Sequence, residues 1–354
     1  MSRARAKLCF LTVVAVGLLL GRSPLTAQES GIMSRDPRWR VSEPLIEADP
    51  ARLPPSDEHP WVAIKDPSVV RVGERWHLFC TIRRRKEGEG RIRIGYTSFE
   101  DWESASEANW SLLELTPDYH GAPQVFFFEP ERRWYLIYQA ADPARGLAYG
   151  PCYSTNERID DPNGWTLPRP LYVVPEGQKA GLDFWLICDE THAHLFFTTN
   201  NGQMWRAETT LEDFPDQGWS VPEVALRADI FEANHTYKLL GQDEYFMFIE
   251  AQGRGRRYFK SYRAESLRGP WEPIADSIEH PFVGVENVIN QNESWTTNYS
   301  HGEAIRAGYN QRMELDPQAM RLVFQGANDE EYKNSYGLIP WRLGILERVP
   351  ASRD

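Results

Sequence analysis

The sequence predicts an all-β fold, specifically a five-bladed β-propeller, from two observations. Short runs of aromatic and β-branched residues recur between Gly, Pro, Asn and Asp turns, and long helical periodicity is nearly absent after the first 27 residues. Five such runs begin at regular intervals, at Trp76, Trp134, His194, Tyr245 and Arg321. A period of about 50–65 residues with about four strands in each unit is typical of propeller blades.

A second recurring phrase supports the repeat. After each of the first four aromatic runs comes another predicted strand, then a polar segment and a tryptophan, at Trp102, Trp165, Trp219 and Trp271. The last unit lacks this phrase and ends in PWRLGIL, Pro340–Leu346. We predict an N-terminal arm over residues 28–55 and a single propeller domain over residues 56–354. A generic all-β protein with accidental similarity is the alternative.

The first 27 residues are predicted to be a secretory signal peptide. A basic start is followed by an apolar run, Leu8–Leu20, and by a candidate cleavage site after Ala27. An apolar run of about 13 residues is too short to cross a hydrocarbon core of about 30 Å. We therefore expect an exported protein, extracellular or periplasmic, and an uncleaved anchor is the alternative.

Charge and cysteine content exclude other classes. The formal net charge is −12, whereas a nucleic-acid-binding surface needs a basic face. Beyond the predicted signal only Cys80, Cys152 and Cys188 remain, so at most one disulfide could form and no disulfide scaffold is expected. We therefore expect a monomer that does not bind nucleic acid and, once the signal is cleaved, does not bind a membrane.

Three carboxylates occupy similar places on the predicted first strand of three units. Asp66, Asp183 and Glu232 lie 10 to 13 residues before the aromatic runs of their own units. Since the first strand of every propeller blade lines the central channel, these groups should converge at one mouth of it. Apolar neighbours would raise their pKa values, and such a set can supply a base, an acid and a third group that tunes them. Sugar hydrolysis uses this arrangement, although any one of them alone could be a turn residue.

At these residues the sequence resembles glycoside hydrolase family 62, the α-L-arabinofuranosidases that act on arabinoxylan. The matching segments occur in the family's order over about residues 60–346: IKDPSVV, APQVFFF, WYLIYQ, DFWLICD, NNGQMWRAETTLEDFP, FEANHTYK, YSHGE and PWRLGIL. The resemblance implies a five-bladed propeller that removes arabinose side groups from arabinoxylan by an inverting mechanism. It implies that Asp66 is the general base, that Asp183 orients the site and tunes the acid, and that Glu232 is the general acid.

The resemblance also implies further site residues. Lys65 and Phe184 would shape the arabinose pocket, with a solvated charge and a plain core residue as their respective alternatives. Tyr336 stands where the family places a substrate-contacting tyrosine, and Tyr332 competes for that role. His301 resembles the family's channel histidine, which is associated with calcium; a core histidine is the alternative, since calcium prefers oxygen ligands. No cofactor is expected for the chemistry.

Two departures from the family bear on the substrate. Gly181-Leu182 replaces a bulkier residue before the predicted tuning aspartate, and a basic stretch over residues 83–86 predicts an exposed hairpin loop. Two other functions stay open at this point. One is a related five-bladed glycosidase, such as a β-xylosidase, an arabinanase or a retaining fructan enzyme, and the other is a carbohydrate-binding propeller without turnover.

Overall fold

The computed structural model describes residues 33–56, 59–85, 90–175 and 177–350, and nearly all regular structure there is β-strand. The predicted signal peptide, residues 1–27, lies outside the described residues. The strands form five sheets, and the first strand of each sheet contacts the neighbouring sheets around a common axis. The predicted five-bladed propeller is confirmed.

After a short strand β1 (Arg38–Val41), each of the first three sheets takes four consecutive antiparallel strands. The first sheet contains β2 (Trp61–Val72), β3 (Arg75–Arg84), β4 (Ile92–Phe99) and β5 (Ser111–Leu112). The second contains β6 (Tyr119–Phe128), β7 (Arg133–Asp142), β8 (Leu147–Asn156) and β9 (Arg169–Pro170). The third contains β10 (Leu182–Cys188), β11 (His192–Thr198), β12 (Gln203–Thr210) and β13 (Glu223–Arg227).

The last two sheets are less regular. The fourth begins with β14 (His235–Leu239), β15 (Tyr245–Gly253), β16 (Arg256–Ala264) and β17 (Glu272–Ala275). The chain ends with β18 (Asn298–Ala304), β19 (Glu314–Leu315), β20 (Arg321–Ala327) and β21 (Arg342–Val349). Of these, β19 adds to the fourth sheet in parallel with β14, and the other three build the fifth sheet.

The N-terminal arm is part of the propeller and not a separate segment in front of it. Its strand β1 pairs antiparallel with β21, with Trp39 opposite Arg348, and so forms the outer edge of the fifth sheet. Trp39 is fully buried and donates its indole N–H to the carbonyl of Phe282 in the fourth blade at 2.6 Å. The first described strand thus joins the predicted arm to the last blade of the ring.

Helical structure is confined to single turns. The described residues contain one short α-helix, α1 (Asp329–Tyr332), and four 3₁₀ turns: Ala105–Glu107, Pro143–Arg145, Gln291–Glu293 and Tyr336–Leu338. In the part of the chain that the structure describes, no helix is long and apolar enough to cross a membrane.

Two of the four repeated tryptophans pack against an aromatic ring of the neighbouring blade. Trp165 of the second blade meets Phe79 of the first edge-on at 5.6 Å between ring centroids, and Trp271 of the fourth meets Phe196 of the third at 6.2 Å. Such aromatic contacts contribute about 0.5–1.5 kcal/mol each beyond the buried area. Cys80, Cys152 and Cys188 are buried free thiols, so packing rather than a disulfide among them joins the blades.

A β-bulge interrupts the first strand of four blades at the same place, and in the fourth blade the equivalent irregularity lies in the residues just before β14. On the near side of each bulge, a residue of the first segment pairs with a residue toward the end of the blade's second strand. The first segment then has one residue more than the second strand before pairing resumes. In four blades the bulged residue has left-handed backbone: Asp66 (φ 52°), Ala122 (φ 50°), Asp183 (φ 53°) and Ala233 (φ 51°). In the fifth blade His301 holds the equivalent position. Bulges redirect side chains, and non-glycine residues with positive φ concentrate at functional sites.

Candidate active site

Residues at four of the five bulges line one pocket at the mouth of the channel. Its volume is about 570 Å³, and six of the residues singled out from the sequence line it: Lys65, Asp66, Asp183, Glu232, His301 and Tyr336. They come from four different blades and one 3₁₀ turn. The expected convergence of the three carboxylates is therefore found.

The bulged backbone is held by the neighbouring blade. At four bulges the peptide N–H donates to a side chain at the end of the preceding blade's second strand: Asp66 to Gln325 (2.8 Å), Ala122 to Thr81 (2.7 Å), Asp183 to Gln139 (3.1 Å) and His301 to Glu250 (2.8 Å). In the fourth blade the N–H of Ala233 donates instead to Asp183 Oδ2 at 3.1 Å. These bonds satisfy a buried donor and fix where the adjoining side chains point.

The Asp66 carboxylate lies next to two basic side chains, Lys65 and His301. Lys65 Nζ donates to Asp66 Oδ1 at 2.9 Å and lies 2.8 Å from Oδ2, while His301 Nδ1 is 3.4 Å from Oδ1. Burial alone would raise the pKa of Asp66, but the charges of Lys65 and His301 and the hydrogen bonds from Lys65 and Thr81 outweigh it and lower the pKa below its usual value. Asp66 is therefore an ionised carboxylate over a wide pH range.

Asp183 has the opposite environment. It is 8% exposed, and burial together with the charges of Glu232 and Asp66 raises its pKa well above the usual range. Its Oδ2 accepts from the residue that follows Glu232, and its Oδ1 lies 3.9 Å from His301 Nδ1. Asp183 thus connects the backbone next to Glu232 with the side of the pocket that holds Asp66.

Glu232 is held by an arginine. Arg257 Nη1 donates to Glu232 Oε1 at 2.6 Å and also to Glu250 Oε1, and its Nε donates to the Tyr332 hydroxyl at 3.0 Å. Burial, followed by the charge of Glu250, raises the pKa of Glu232 to about 7, and Arg257 opposes this rise. A carboxyl group that keeps its proton to near neutrality can serve as a general acid.

The aromatic predictions have mixed outcomes. Tyr336 lines the pocket, and its hydroxyl accepts from Lys65 Nζ at 3.3 Å. Tyr332 is not among the residues that line the pocket, and its hydroxyl accepts a hydrogen bond from Arg257 Nε. Phe184 does not face the pocket: it is 3% exposed and packs against Phe197, at 5.7 Å between centroids, in the core. The plain-core alternative for Phe184 is the one that the structure supports.

The calcium expectation for His301 does not fit the residues present. Its ring faces the carboxylates of Asp66 and Asp183 at 3.4 and 3.9 Å and packs edge-on against His235 at 5.1 Å. Across residues 33–56, 59–85, 90–175 and 177–350, no group of three or more His, Cys, Asp or Glu side chains could hold a metal ion. Burial, the largest influence, lowers the pKa of His301, and the charge of Asp66 opposes this shift.

Sequence reasoning missed several pocket residues. Arg257, Tyr119 and Tyr149 all line the cavity, and burial raises the pKa of Tyr119 to about 12, so its hydroxyl stays protonated. The residues that hold the bulges were visible as the polar endings of the aromatic runs, for example Gln139 in WYLIYQ and Glu250 in YFMFIE. Their role depends on the adjacent blade and not on their own strand.

Comparisons with known proteins agree on one family. The sequence model of Glycosyl hydrolase family 62 matches residues 52–347. Alpha-L-arabinofuranosidase C of Cellvibrio japonicus is 37% identical over 321 residues, which cover 87% of this chain and 46% of that protein. The chain therefore spans about half the length of this curated relative.

Solved structures give the same picture. The catalytic domain of a family 62 α-L-arabinofuranosidase from Coprinopsis cinerea is 36% identical, with a TM-score of 0.80 over 90% of this chain and 99% of that one. An α-L-arabinofuranosidase from Podospora anserina, solved with cellotriose, is 33% identical, with a TM-score of 0.78 over 91% and 100% of the two chains. A family 62 hydrolase solved with xylotriose is 32% identical, with a TM-score of 0.78 over 88% and 98%.

Proposed function

Because the chain belongs to glycosyl hydrolase family 62, we propose that it is an α-L-arabinofuranosidase that removes arabinofuranosyl side chains from arabinoxylan with inversion at the anomeric carbon. The observation that carries the proposal is the opposite protonation of two carboxyl groups in one pocket. Asp66 is ionised beside Lys65, and Glu232 retains its proton to about pH 7. Separated pKa values of this kind identify the acid and the base of a glycosidase.

The reaction needs both groups at the same time. Asp66 accepts a proton from a water molecule, whose oxygen forms the new bond to the anomeric carbon as the glycosidic C–O bond breaks. Glu232 gives its proton to the departing xylan oxygen, so that neither a hydroxide nor an alkoxide has to form. Asp183 orients the site between them through the N–H of Ala233 and the side of His301 that faces Asp66.

Three features support a sugar polymer as the ligand. The pocket is open, holds about 570 Å³, and carries hydroxyl, amide and carboxylate groups together with tyrosine rings, which suits the polar edges and apolar faces of a sugar. The relatives solved with xylotriose and cellotriose support a linear oligosaccharide as part of that ligand. Arabinoxylan combines such a main chain with arabinofuranosyl branches.

The test is the product and its anomer. Purified protein should release arabinose from wheat arabinoxylan more readily than from arabinan, and proton NMR of the first-formed product from an α-arabinoside should show β-arabinose. No arabinose from arabinoxylan or from an aryl α-L-arabinofuranoside would refute the activity. First-formed α-arabinose would refute inversion and make Asp66 a nucleophile.

Export of a monomer is the second part of the proposal. It rests on the basic and apolar N-terminus and on the polymeric substrate, which does not enter cells. Expression of the full chain in a bacterium should yield, outside the cytoplasm, a protein whose first residue is Gln28. Light scattering of that protein should give the mass of one chain, and an uncleaved N-terminus in the membrane fraction would contradict the proposal.

A further inference from the structure

Glu250 differs from the residues at the equivalent second-strand positions of the other blades. The five equivalent second-strand positions are occupied by Thr81, Gln139, Thr198, Glu250 and Gln325, and only one of these side chains carries a charge. Glu250 is completely buried. Its Oε1 accepts from Arg257 Nη1, and its Oε2 accepts from Ser300 Oγ at 2.7 Å and from the N–H of His301 at 2.8 Å. Three donors on two oxygens are the surroundings that a carboxylate anion requires.

Through these contacts Glu250 joins the acid side of the pocket to the base side. On one side it shares Arg257 Nη1 with Glu232. On the other side Ser300 Oγ, which donates to Glu250, accepts from Gln325 Nε2 at 2.9 Å. Gln325 Oε1 in turn accepts from the N–H of Asp66 at 2.8 Å. The series of hydrogen bonds runs behind the pocket from the acid to the base and has Glu250 at its centre.

We propose that Glu250 is a positioning residue of this active site. One of its carboxylate oxygens holds Arg257 against the acid Glu232, and the other anchors the Ser300–His301 bulge beside the base. The inference rests on the proposed role of Glu232 as acid. Glu250 touches neither substrate nor reacting atoms and acts through Arg257 and through the peptide N–H of His301.

The charge of Glu250 also decides how strongly Arg257 acts on the acid. Burial works against the charged form of Arg257, but Glu250 and Glu232 outweigh it and raise the pKa of the guanidinium. The Arg257 guanidinium thus interacts with the carboxyl groups of Glu232 and Glu250 at the same time. The charged and titratable groups that face Glu232 are Lys65, Tyr149, Asp183, Glu250, Arg257 and Tyr336. Without the negative charge of Glu250, Arg257 would favour ionised Glu232, and the acid would lose its proton at lower pH.

The experiment compares pH profiles of three variants with the wild type on arabinoxylan. Glu250→Gln removes the charge and should move the basic limb of kcat/KM down by about one pH unit or more, since an opposite charge within about 4–6 Å lowers an acid's pKa by about 1–3 units. Glu250→Asp keeps the charge but shortens the reach, and should lower kcat while leaving the basic limb in place. Thr198→Val, the matched control at the equivalent position of the third blade, should leave both unchanged.

Either Glu250 variant can overturn the proposal by itself. An unmoved basic limb in Glu250→Gln, or wild-type kcat in Glu250→Asp, would show that Glu250 is only structural. If Glu250→Gln does not fold, as judged by thermal unfolding, the Glu250→Asp profile decides the matter. Failure of the proposed function is distinguishable, because then the wild type itself would release no arabinose. A wild type that is active, with a basic limb that Glu232→Gln abolishes and Glu250→Gln does not shift, would refute the inference alone.

Discussion

Replacement of Glu232 by glutamine tests the acid assignment most directly. With a pKa of about 7, Glu232 is about 99% protonated at about pH 5 and about 1% at about pH 9. The wild-type kcat/KM on arabinoxylan should therefore decline about tenfold per pH unit above neutrality. Glutamine keeps the shape and can still accept from Arg257, but it has no proton to give. We expect a loss of about 10²–10⁴ on arabinoxylan, equivalent to about 2.7–5.5 kcal/mol in the barrier.

A comparison of two leaving groups distinguishes the loss of the acid from general damage to the enzyme. An arabinosyl–xylan bond releases an alkoxide, which needs a proton, whereas a nitrophenyl arabinoside releases a stabilised phenolate, which hardly does. Glu232→Gln should thus stay within about tenfold of the wild type on the aryl substrate, provided that the enzyme accepts it. The assay is kcat/KM for both substrates between about pH 4 and about pH 9. A basic limb near neutrality that persists in Glu232→Gln, or equal losses on both substrates, would refute the assignment and point to Asp183, whose pKa is also raised.

Three further changes have defined outcomes. Asp66→Asn should reduce arabinoxylan hydrolysis by at least about 10² with little change in melting temperature, and a loss below about tenfold would remove Asp66 as base. Asp183→Asn should lower kcat more than it changes KM and should shift a limb of the pH profile; an unaltered profile would exclude it from the site. Arg306→Met should destabilise the fold by about 3–5 kcal/mol in chemical denaturation, because the fully buried Glu303, 2.8 Å from Arg306 Nη2, would lose its partner. Adding Glu303→Gln should recover much of that loss, and an additive double variant would contradict the pairing.

The repeat explains why the three carboxylates of the pocket could be predicted to lie together. Asp66 and Asp183 occupy the same bulge position in two blades, and Glu232 immediately precedes that position in a third. An alignment of aromatic runs therefore brings them to one place without any structure. Arg257 could not be found in this way, because it lies at the start of the third strand of the fourth blade and contacts Glu232 of the same blade from there. No motif shared with the other units marks its local sequence.

Two placements in the structure could not be read from the sequence, for local reasons. The arm was separated from the propeller because strand β1 has four residues, and its partner β21 follows about 300 residues later, a distance at which no sequence pattern indicates pairing. Phe184 was placed in the pocket because it adjoins Asp183. Consecutive residues of a strand point to opposite faces, so the side chain after a pocket-facing aspartate is directed into the core, where Phe197 receives it.

The site also shows how one backbone device supports different chemistry. Left-handed backbone at a non-glycine residue costs about 1–3 kcal/mol, and this protein repeats it in four blades, twice at an aspartate, which tolerates it best. The second blade keeps the bulge at Gly121-Ala122 although it presents no reactive group there, so the bulge belongs to the fold and the reaction depends on which side chains occupy it. Each bulge N–H is held by the neighbouring blade, and the position of each catalytic side chain therefore depends on the packing between two blades. Substitutions at a blade interface, distant from the pocket, should for that reason alter the rate as well as the stability.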